Sequence, residues 1–173
     1  MDRGPVITLV IGGIRSGKST LGARLAGRLG DAVTVVIPGT FPDDPDLAAR
    51  VRAHQAGRPA SWTTLECGDA LPATLAATVG PALVDSLGTW VAQVPGFAAD
   101  AAALIDATTT RAGPTVLVTE EVGLSVHPPT ESGRRFADAL GALNHAVAAV
   151  ADDVLLSVAG RALTLPADPG GRC

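Results

Sequence analysis

Residues 6–19 read VITLVIGGIRSGKS, and their first part, Val6–Ile11, is a continuous run that is apolar except for Thr8. A run of this kind is typical of a strand buried on both faces of a sheet. The octapeptide at 12–19 fits the pattern G-x-x-x-x-G-K-[ST] in full, and Leu21, Leu25 and Leu29 follow at helical spacing. A strand, a glycine-rich loop and a helix in this order indicate a P-loop that binds nucleotide phosphates.

The residue types of this loop suit a phosphate ligand. Glycines let backbone N–H groups approach the phosphates without an intervening Cβ atom, and the helix adds the positive end of its dipole. Lys18 supplies a compact charge for the β- and γ-phosphates, and Ser19 a hydroxyl for Mg²⁺. The chain has 13 Lys and Arg residues and Lys18 is its only lysine, which indicates that an ammonium group is required there. The predicted phosphate-binding residues are Gly12, Gly13, Ile14, Arg15, Ser16, Gly17, Lys18 and Ser19.

A second magnesium ligand is expected at the end of a neighbouring strand. Asp85 follows the apolar run at 82–84, and the pair Glu120-Glu121 follows the run at 116–119. Ligands collect at the carboxyl ends of strands in open α/β sheets. Because carboxylates beside phosphates need a cation between them, the sequence predicts Mg²⁺ bound by Ser19 and Asp85. The alternatives are that Glu121 contacts the metal in place of Asp85, or that one of these acids only caps a loop.

The rest of the chain alternates β-rich runs with helical patterns, which predicts βαβ units and a mostly parallel sheet flanked by helices. Further strands are predicted at 32–37, 82–85 and 116–119, and helices at 18–29, 44–57, 71–79, 98–111 and 136–150. A hairpin is predicted at 154–165, with Gly160 and Arg161 at its turn. The fold class is therefore α/β, a P-loop NTPase (RecA-like) fold with a C-terminal β-hairpin. We expect one domain at 1–165 and a flexible tail at 166–173.

Composition excludes several classes of protein. Hydrophobic residues make up 47% and charged residues 17% of the 173 residues, as in an ordered globular protein. A formal net charge of −4 offers no basic surface for a nucleic acid, and no apolar run is long enough to cross a membrane. The two cysteines, Cys67 and Cys173, do not suggest a disulfide framework. We therefore expect a cytoplasmic protein without a nucleic-acid partner or a membrane span.

Four further segments resemble a single enzyme family. The residues at 50–66 follow the order R-[IV]-x-x-H-x-x-x-R-P-x-x-W-x-T-x-E, and those at 83–90 are similar to L-[LV]-[DE]-x-L-x-x-W. The residues at 119–128 resemble T-N-E-V-G-x-G-[IV]-[VI]-P, and those at 134–144 fall on R-x-F-x-D-x-x-G-x-x-N. Together with a P-loop similar to G-G-x-R-S-G-K-S, these motifs are those of the adenosylcobinamide kinase/adenosylcobinamide-phosphate guanylyltransferase family. The resemblance runs from residue 6 to about residue 160.

The sequence departs from the family pattern at three places. Glu120 stands where the family usually has Asn, and Ser125, Val126 and His127 stand where it has Gly-Ile-Val. His145 replaces a Gln that follows Asn144. Most of these positions lie in or beside the predicted substrate loop, so the departures concern the fit of the substrate more than the binding of the nucleotide.

The resemblance implies a bifunctional transferase of cobalamin biosynthesis. Such an enzyme phosphorylates the aminopropanol hydroxyl of adenosylcobinamide with ATP or GTP. It then transfers GMP from GTP to that phosphate through a guanylylated histidine, which maps onto His54, and the product is adenosylcobinamide-GDP. The family also implies a homo-oligomer, a trimer. Further nucleotide-binding residues are expected to be Arg50, Arg58, Glu66 and Asp85, and the expected substrate loop contains Glu121, Val122, Gly123 and Pro128.

Two other functions fit parts of the pattern. Leu47, Val51 and His54 share one face of a predicted helix, so His54 could be a core residue. The chain would then be a P-loop kinase of another small alcohol, without guanylyltransferase activity. The remaining alternative is a nucleotide-gated regulatory module with no chemistry of its own.

Overall fold

The computed structural model describes residues 6–39, 57–124 and 126–167. Within these ranges the strands are β1 (Ile7–Gly12), β2 (Thr34–Ile37), β3 (Thr63–Glu66), β4 (Ala82–Asp85), β5 (Thr115–Glu120), β6 (Asp153–Val158) and β7 (Arg161–Leu165). The helices are α1 (Lys18–Ala26), α2 (Leu71–Ala77), α3 (Leu87–Gln93), α4 (Ala101–Thr110) and α5 (Glu131–Ala148), with a 3₁₀ turn at Pro95–Phe97. The helix predicted at 44–57 and most of the predicted tail lie outside the described residues.

The strands form one seven-stranded sheet in the order β3-β2-β4-β5-β1-β6-β7. Every neighbouring pair is parallel except β6 and β7, which form an antiparallel hairpin. β1 lies inside the sheet between β5 and β6, and its neighbouring side chains Leu9 and Val10 are buried in apolar clusters on opposite faces. This position explains its apolar sequence. The predicted α/β class, the mostly parallel sheet and the C-terminal hairpin are confirmed.

Two apolar clusters pack against the sheet. One forms between the sheet and α1, which contacts β1, β4 and β5; it includes Val10, Leu21, Leu83, Val116 and Val118. The other joins the sheet to α3 and α5, and it includes Leu9, Leu117, Trp90, Leu140 and Leu143. Aliphatic side chains that point alternately to the two faces of each strand supply both clusters. No helix in the described ranges is both long and apolar enough to span a membrane.

Arg111 lies at the amino-terminal ends of the parallel strands, on the side of the sheet opposite the P-loop. Its guanidinium is buried and donates to the backbone oxygens of Thr78, Gly80, Gly113 and Pro114, with a further bond to Thr115 Oγ1. These acceptors lie just before or at the start of β4 and β5, so one cation ties together the amino-terminal ends of two strands. Burial lowers the pKa of Arg111 from its ordinary value.

Two elements were missed by the sequence analysis. All four residues of β3 are exposed, so this edge strand carries no apolar run to reveal it. Helix α3 has only 7 residues. It begins at Ser86, whose hydroxyl accepts a hydrogen bond from Thr89 N, and it buries Trp90.

Several predicted boundaries were wrong; helix α5, for example, begins at Glu131 and not at residue 136. The hairpin turn lies at Ala159 and Gly160, one residue earlier than predicted, and both residues have positive φ, 51° and 74°. A two-residue turn of this kind matches the twist of the strands that it joins. Helix α1 ends at Ala26, before the predicted Leu29, because the chain tightens into turns in which Leu29 N donates to Ala26 O.

Gly22 in α1 offers a test of this packing. A Cβ atom at Gly22 would lie 2.5 Å from Val118 Cγ2. We expect Gly22→Ala to lower the free energy of unfolding by about 1–3 kcal/mol, because α1 would have to move away from β5. Chemical denaturation measures this change. The matched control is Gly141→Ala in α5, where a Cβ atom has no neighbour within 4 Å; there we expect a gain of about 0.5–1 kcal/mol. Equal effects in both variants would contradict the packing described here.

Candidate active site

The P-loop (residues 12–19) joins β1 to α1 at the edge of the sheet where the parallel strands end. Arg15 and Gly17 have positive φ, 56° and 92°, and Gly17 is the N-cap of α1 without a side-chain cap. Among the described residues, no acceptor receives a hydrogen bond from the backbone N–H of Ile14, Arg15 or Gly17. Free N–H groups at the start of a helix attract anions. The loop therefore has the geometry of a phosphate site.

The C-terminal hairpin holds the P-loop from one side. Gly160 N donates to Ser16 O at 2.8 Å, and Ser157 Oγ donates to the same oxygen at 3.0 Å. The approach is close enough that a Cβ atom at Gly12 would lie 2.7 Å from Ser157 O and 2.5 Å from Ser16 Oγ. Because the Ser16 carbonyl is bound on the hairpin side, it is turned away from an incoming phosphate. Sequence reasoning placed Gly160 in the hairpin turn only and assigned no role to Ser157.

Lys18 is held by a carboxylate that the sequence analysis considered only as a possible metal ligand. Lys18 Nζ lies 3.6 Å from Glu120 Oε1, and the two side chains are 12% and 29% exposed. Glu120 also accepts from Ser86 Oγ, at 3.0 and 3.1 Å to its two oxygens. A Cβ atom at Gly88 would overlap the Glu120 carboxylate. The carboxylate is therefore fixed beside the predicted catalytic lysine.

Ser19 and Asp85 lie together as predicted. Ser19 Oγ donates to Asp85 Oδ1 at 3.1 Å, across the gap between α1 and the end of β4. Two adjacent oxygen ligands in an octahedral magnesium site are about 2.9 Å apart, so these two atoms fit Mg²⁺ with little movement. In the part of the chain that the structure describes, no group of three or more His, Cys, Asp and Glu side chains could hold a metal.

The four predicted substrate-loop residues line one cleft. It has a volume of about 440 Å³ and lies between the loop after β5 and the side of α5. Glu121 shapes this loop, because its carboxylate accepts from Gly123 N at 2.7 Å and from Leu124 N at 2.8 Å. The lining residues are Ile11, Glu121, Val122, Gly123, His127, Pro128, Arg134, Ala137, Asp138, Gly141 and Asn144.

Comparison with known proteins identifies the family. The family model described as "Cobinamide kinase / cobinamide phosphate guanyltransferase" matches residues 8–165. The chain belongs to this family. It is 35% identical over 170 residues to "Bifunctional adenosylcobalamin biosynthesis protein CobP" of Pseudomonas aeruginosa, an alignment that covers 93% of this chain and 98% of that protein. It is 34% identical to "Bifunctional adenosylcobalamin biosynthesis protein CobU" of Salmonella typhimurium, with 90% and 97% covered.

Several family motifs converge on the same edge of the sheet. The P-loop, Asp85 at the end of β4 and the residues after β5 all lie there. Glu120, where this chain departs from the family pattern, brings a carboxylate to Lys18. The sequence analysis matched Arg134, Asp138 and Gly141 to a family motif but gave them no role, and the structure places them in the cleft. Of the other two histidines, His127 lines the cleft and His145 is exposed on α5.

The predicted nucleotide-binding residues outside the P-loop do not all lie beside one another. Arg58 lies close enough to Asp85 for the two charges to interact; burial lowers the pKa of Arg58, and Asp85 partly offsets this effect. Arg58 Nη1 also donates to Thr64 Oγ1 at 3.3 Å. Glu66 is exposed at the end of the edge strand β3, four strand spacings or about 19 Å from β1. His54 and Arg50 lie outside the described residues.

Removal of the Ser157 hydroxyl should loosen the P-loop. We expect Ser157→Ala to weaken ATP binding about five- to tenfold, because Ser16 O loses one of its two bonds and the loop is less well held. Titration with a fluorescent ATP analogue measures this affinity. Thr164→Ala, which removes an exposed hydroxyl from the same hairpin, is the matched control. Unchanged affinity in both variants would show that the hairpin does not hold the loop.

Proposed function

We propose that this chain performs both reactions for which its family is named. In the first, a nucleoside triphosphate phosphorylates the aminopropanol hydroxyl of adenosylcobinamide. In the second, GMP passes from GTP to that phosphate and gives adenosylcobinamide-GDP. One observation carries the proposal. Lys18, which contacts Glu120, and the hydrogen-bonded pair Ser19 and Asp85 all lie beside the free N–H groups of the P-loop. Family membership across nearly the whole chain supports the same two reactions.

The kinase step needs positioning and charge more than covalent chemistry. The P-loop N–H groups bind the phosphates of ATP or GTP, and Lys18 contacts the β- and γ-phosphates. The acceptor hydroxyl oxygen attacks the γ-phosphorus and releases its proton to water. The bond from the γ-phosphorus to the β–γ bridging oxygen breaks, and the nucleoside diphosphate leaves. Lys18 stabilises the negative charge that collects on the leaving oxygens.

Ser19 and Asp85 are the residues that would hold Mg²⁺, since their oxygens are 3.1 Å apart. Bound Mg²⁺ neutralises phosphate charge and fixes the orientation of the triphosphate. Arg58 lies near Asp85 and adds positive charge on the same side. The carboxylate of Asp85 is therefore the protein group on which the magnesium requirement depends.

The Asp85 carboxylate can be tested by removing its charge. We expect Asp85→Asn to raise the magnesium concentration for half-maximal kinase activity about tenfold or more, because a neutral amide is a weaker ligand than a carboxylate. A magnesium titration of the kinase rate measures this. Asp106→Asn makes the same change on the exposed side of α4 and should alter nothing. An unchanged magnesium requirement in Asp85→Asn would assign Asp85 to loop capping.

We propose His54 as the nucleophile of the second reaction. A neutral imidazole nitrogen attacks the α-phosphorus of GTP, the bond to the bridging oxygen breaks, and pyrophosphate leaves. An oxygen of the cobinamide phosphate then attacks the phosphorus of the adduct. The P–N bond breaks, which regenerates the imidazole and completes the transfer of GMP. Arg50 and Arg58 are proposed to stabilise charge on the phosphates, and we further propose a homotrimer, by family resemblance, that acts in the cytoplasm.

The histidine adduct separates this proposal from a simple kinase. We expect wild-type protein incubated with GTP and Mg²⁺ to gain the mass of one GMP group in an acid-labile form. His54→Ala should form no adduct and should retain kinase activity, because the two reactions use different groups. Intact-protein mass spectrometry measures the adduct, and His145→Ala is the matched control on the exposed face of α5. An adduct that persists in His54→Ala would place the nucleophile elsewhere. The absence of any adduct in the wild type would leave kinase activity alone.

A further inference from the structure

The cleft between the loop after β5 and helix α5 has a mixed lining. Ile11, Val122, Pro128 and Ala137 supply apolar surface, and Asn144 supplies an amide. The formal charges come from Glu121, Asp138 and Arg134, with His127 beside them. Two carboxylates and one guanidinium give no excess of positive charge. Such a lining disfavours a phosphate and suits a neutral ligand that offers both hydrogen-bond donors and acceptors.

The charged side chains that line the cleft make different contacts. Arg134 Nη1 donates to Pro128 O at 3.2 Å and to Pro129 O at 3.1 Å, so part of this guanidinium holds the loop against α5. The Glu121 carboxylate is bonded to two N–H groups of the same loop. Asp138 lies one helical turn from Arg134, yet the two side chains form no ion pair in the described part of the chain. Asp138 therefore lines the cleft with a carboxylate that is not paired with Arg134.

Asn144, which lines the cleft, is connected through Glu120 to the P-loop lysine. Asn144 is buried; its Nδ2 donates to Glu120 O at 2.9 Å and its Oδ1 accepts from Thr119 Oγ1 at 2.6 Å. The side chain of the same Glu120 reaches Lys18. The backbone of Glu120 thus accepts from a residue that lines the cleft, and its carboxylate contacts the P-loop lysine. The cleft is therefore linked to Lys18 through a single residue at the end of β5.

Gly141 keeps this cleft open. It lies within the 18-residue helix α5, where glycine is less favourable than alanine, and a Cβ atom there would meet nothing within 4 Å. Gly141 therefore lowers the stability of α5 at a position that faces the cleft. A Cβ atom at 141 has free space on the cleft side, so a larger side chain there would occupy part of the cleft.

We propose that the cleft binds the neutral, amide-linked aminopropanol arm of the corrinoid acceptor and directs its terminal hydroxyl towards Lys18. The same arm, after phosphorylation, occupies the cleft during GMP transfer, with its phosphate outside the lining described above. The inference rests on the proposed function. It adds that one acceptor site, on the α5 side of the P-loop, serves both reactions.

Gly141→Leu tests the acceptor site directly. We expect the KM for adenosylcobinamide in the kinase reaction and for its phosphate in GMP transfer to rise about tenfold or more, because the new side chain occupies part of the cleft. The KM for ATP and the amount of histidine–GMP adduct formed with GTP alone should not change. Ala142→Leu, which introduces the same side chain at the next, exposed residue, is the control and should leave every value at the wild-type level.

The outcomes separate this inference from the proposed function. Wild-type protein that phosphorylates no cobinamide would overturn the function itself. An active wild type with an unchanged acceptor KM in Gly141→Leu would overturn only the acceptor site. If Gly141→Leu does not fold, Gly141→Ala takes its place, with a smaller rise in the acceptor KM as the supporting result and no rise as the contrary one.

Asp138→Asn distinguishes the neutral arm from the phosphate as the occupant. Removal of one negative charge should alter the KM of adenosylcobinamide and of its phosphate by the same factor if the cleft holds the arm that both share. A fall in KM confined to the phosphorylated substrate, and lost at high salt, would show that the cleft binds the phosphate group and would overturn the proposal.

Discussion

The register of β1 against its two neighbours fixes the geometry of the active site. Gly12 lies opposite Glu120 on β5 and opposite Ser157 on β6. Because side chains alternate along a strand, a shift of one residue would turn both groups to the other face of the sheet. Glu120 would then leave Lys18, and Ser157 would leave Ser16. Leu9 and Val10 pack in separate clusters on the two faces of β1, so a shift would exchange side chains of different shape between two close-packed cores. Packing in the core therefore determines polar geometry at the edge.

Much of this arrangement could be predicted from local sequence. The P-loop pattern, the apolar run before it and the leucine spacing after it predicted β1, the loop and α1, since each is set by neighbouring residues. The pairing of Ser19 with Asp85 also followed, because carboxyl ends of parallel strands meet at one edge. His54 and Arg50 lie outside the described residues, so their roles stay predictions.

The remaining features depend on contacts between residues that are distant in the chain. β3 is exposed throughout and takes its place only by pairing with β2, so it has no pattern of its own. Ser157 becomes a support for the P-loop only because β6 lies beside β1, and nothing in the local sequence at 157 indicates this. Glu120 and Glu121 are adjacent and alike in sequence. The strand turns Glu120 towards Lys18, and Glu121 instead bonds the backbone of the loop after β5.

The placement of β1 between β5 and β6 also has a consequence for synthesis of the chain. β1 and the P-loop leave the ribosome early, but both strands that pair with β1 come from the second half of the sequence. Until β6 and β7 have emerged, the nascent chain lacks Ser157 and Gly160, and the P-loop has no hairpin to support it. Local contacts cannot substitute, because the pairing is parallel and distant in sequence. The P-loop is therefore made before the strands that support it, and a growing chain gains these supporting hydrogen bonds only after β6 and the hairpin turn have emerged.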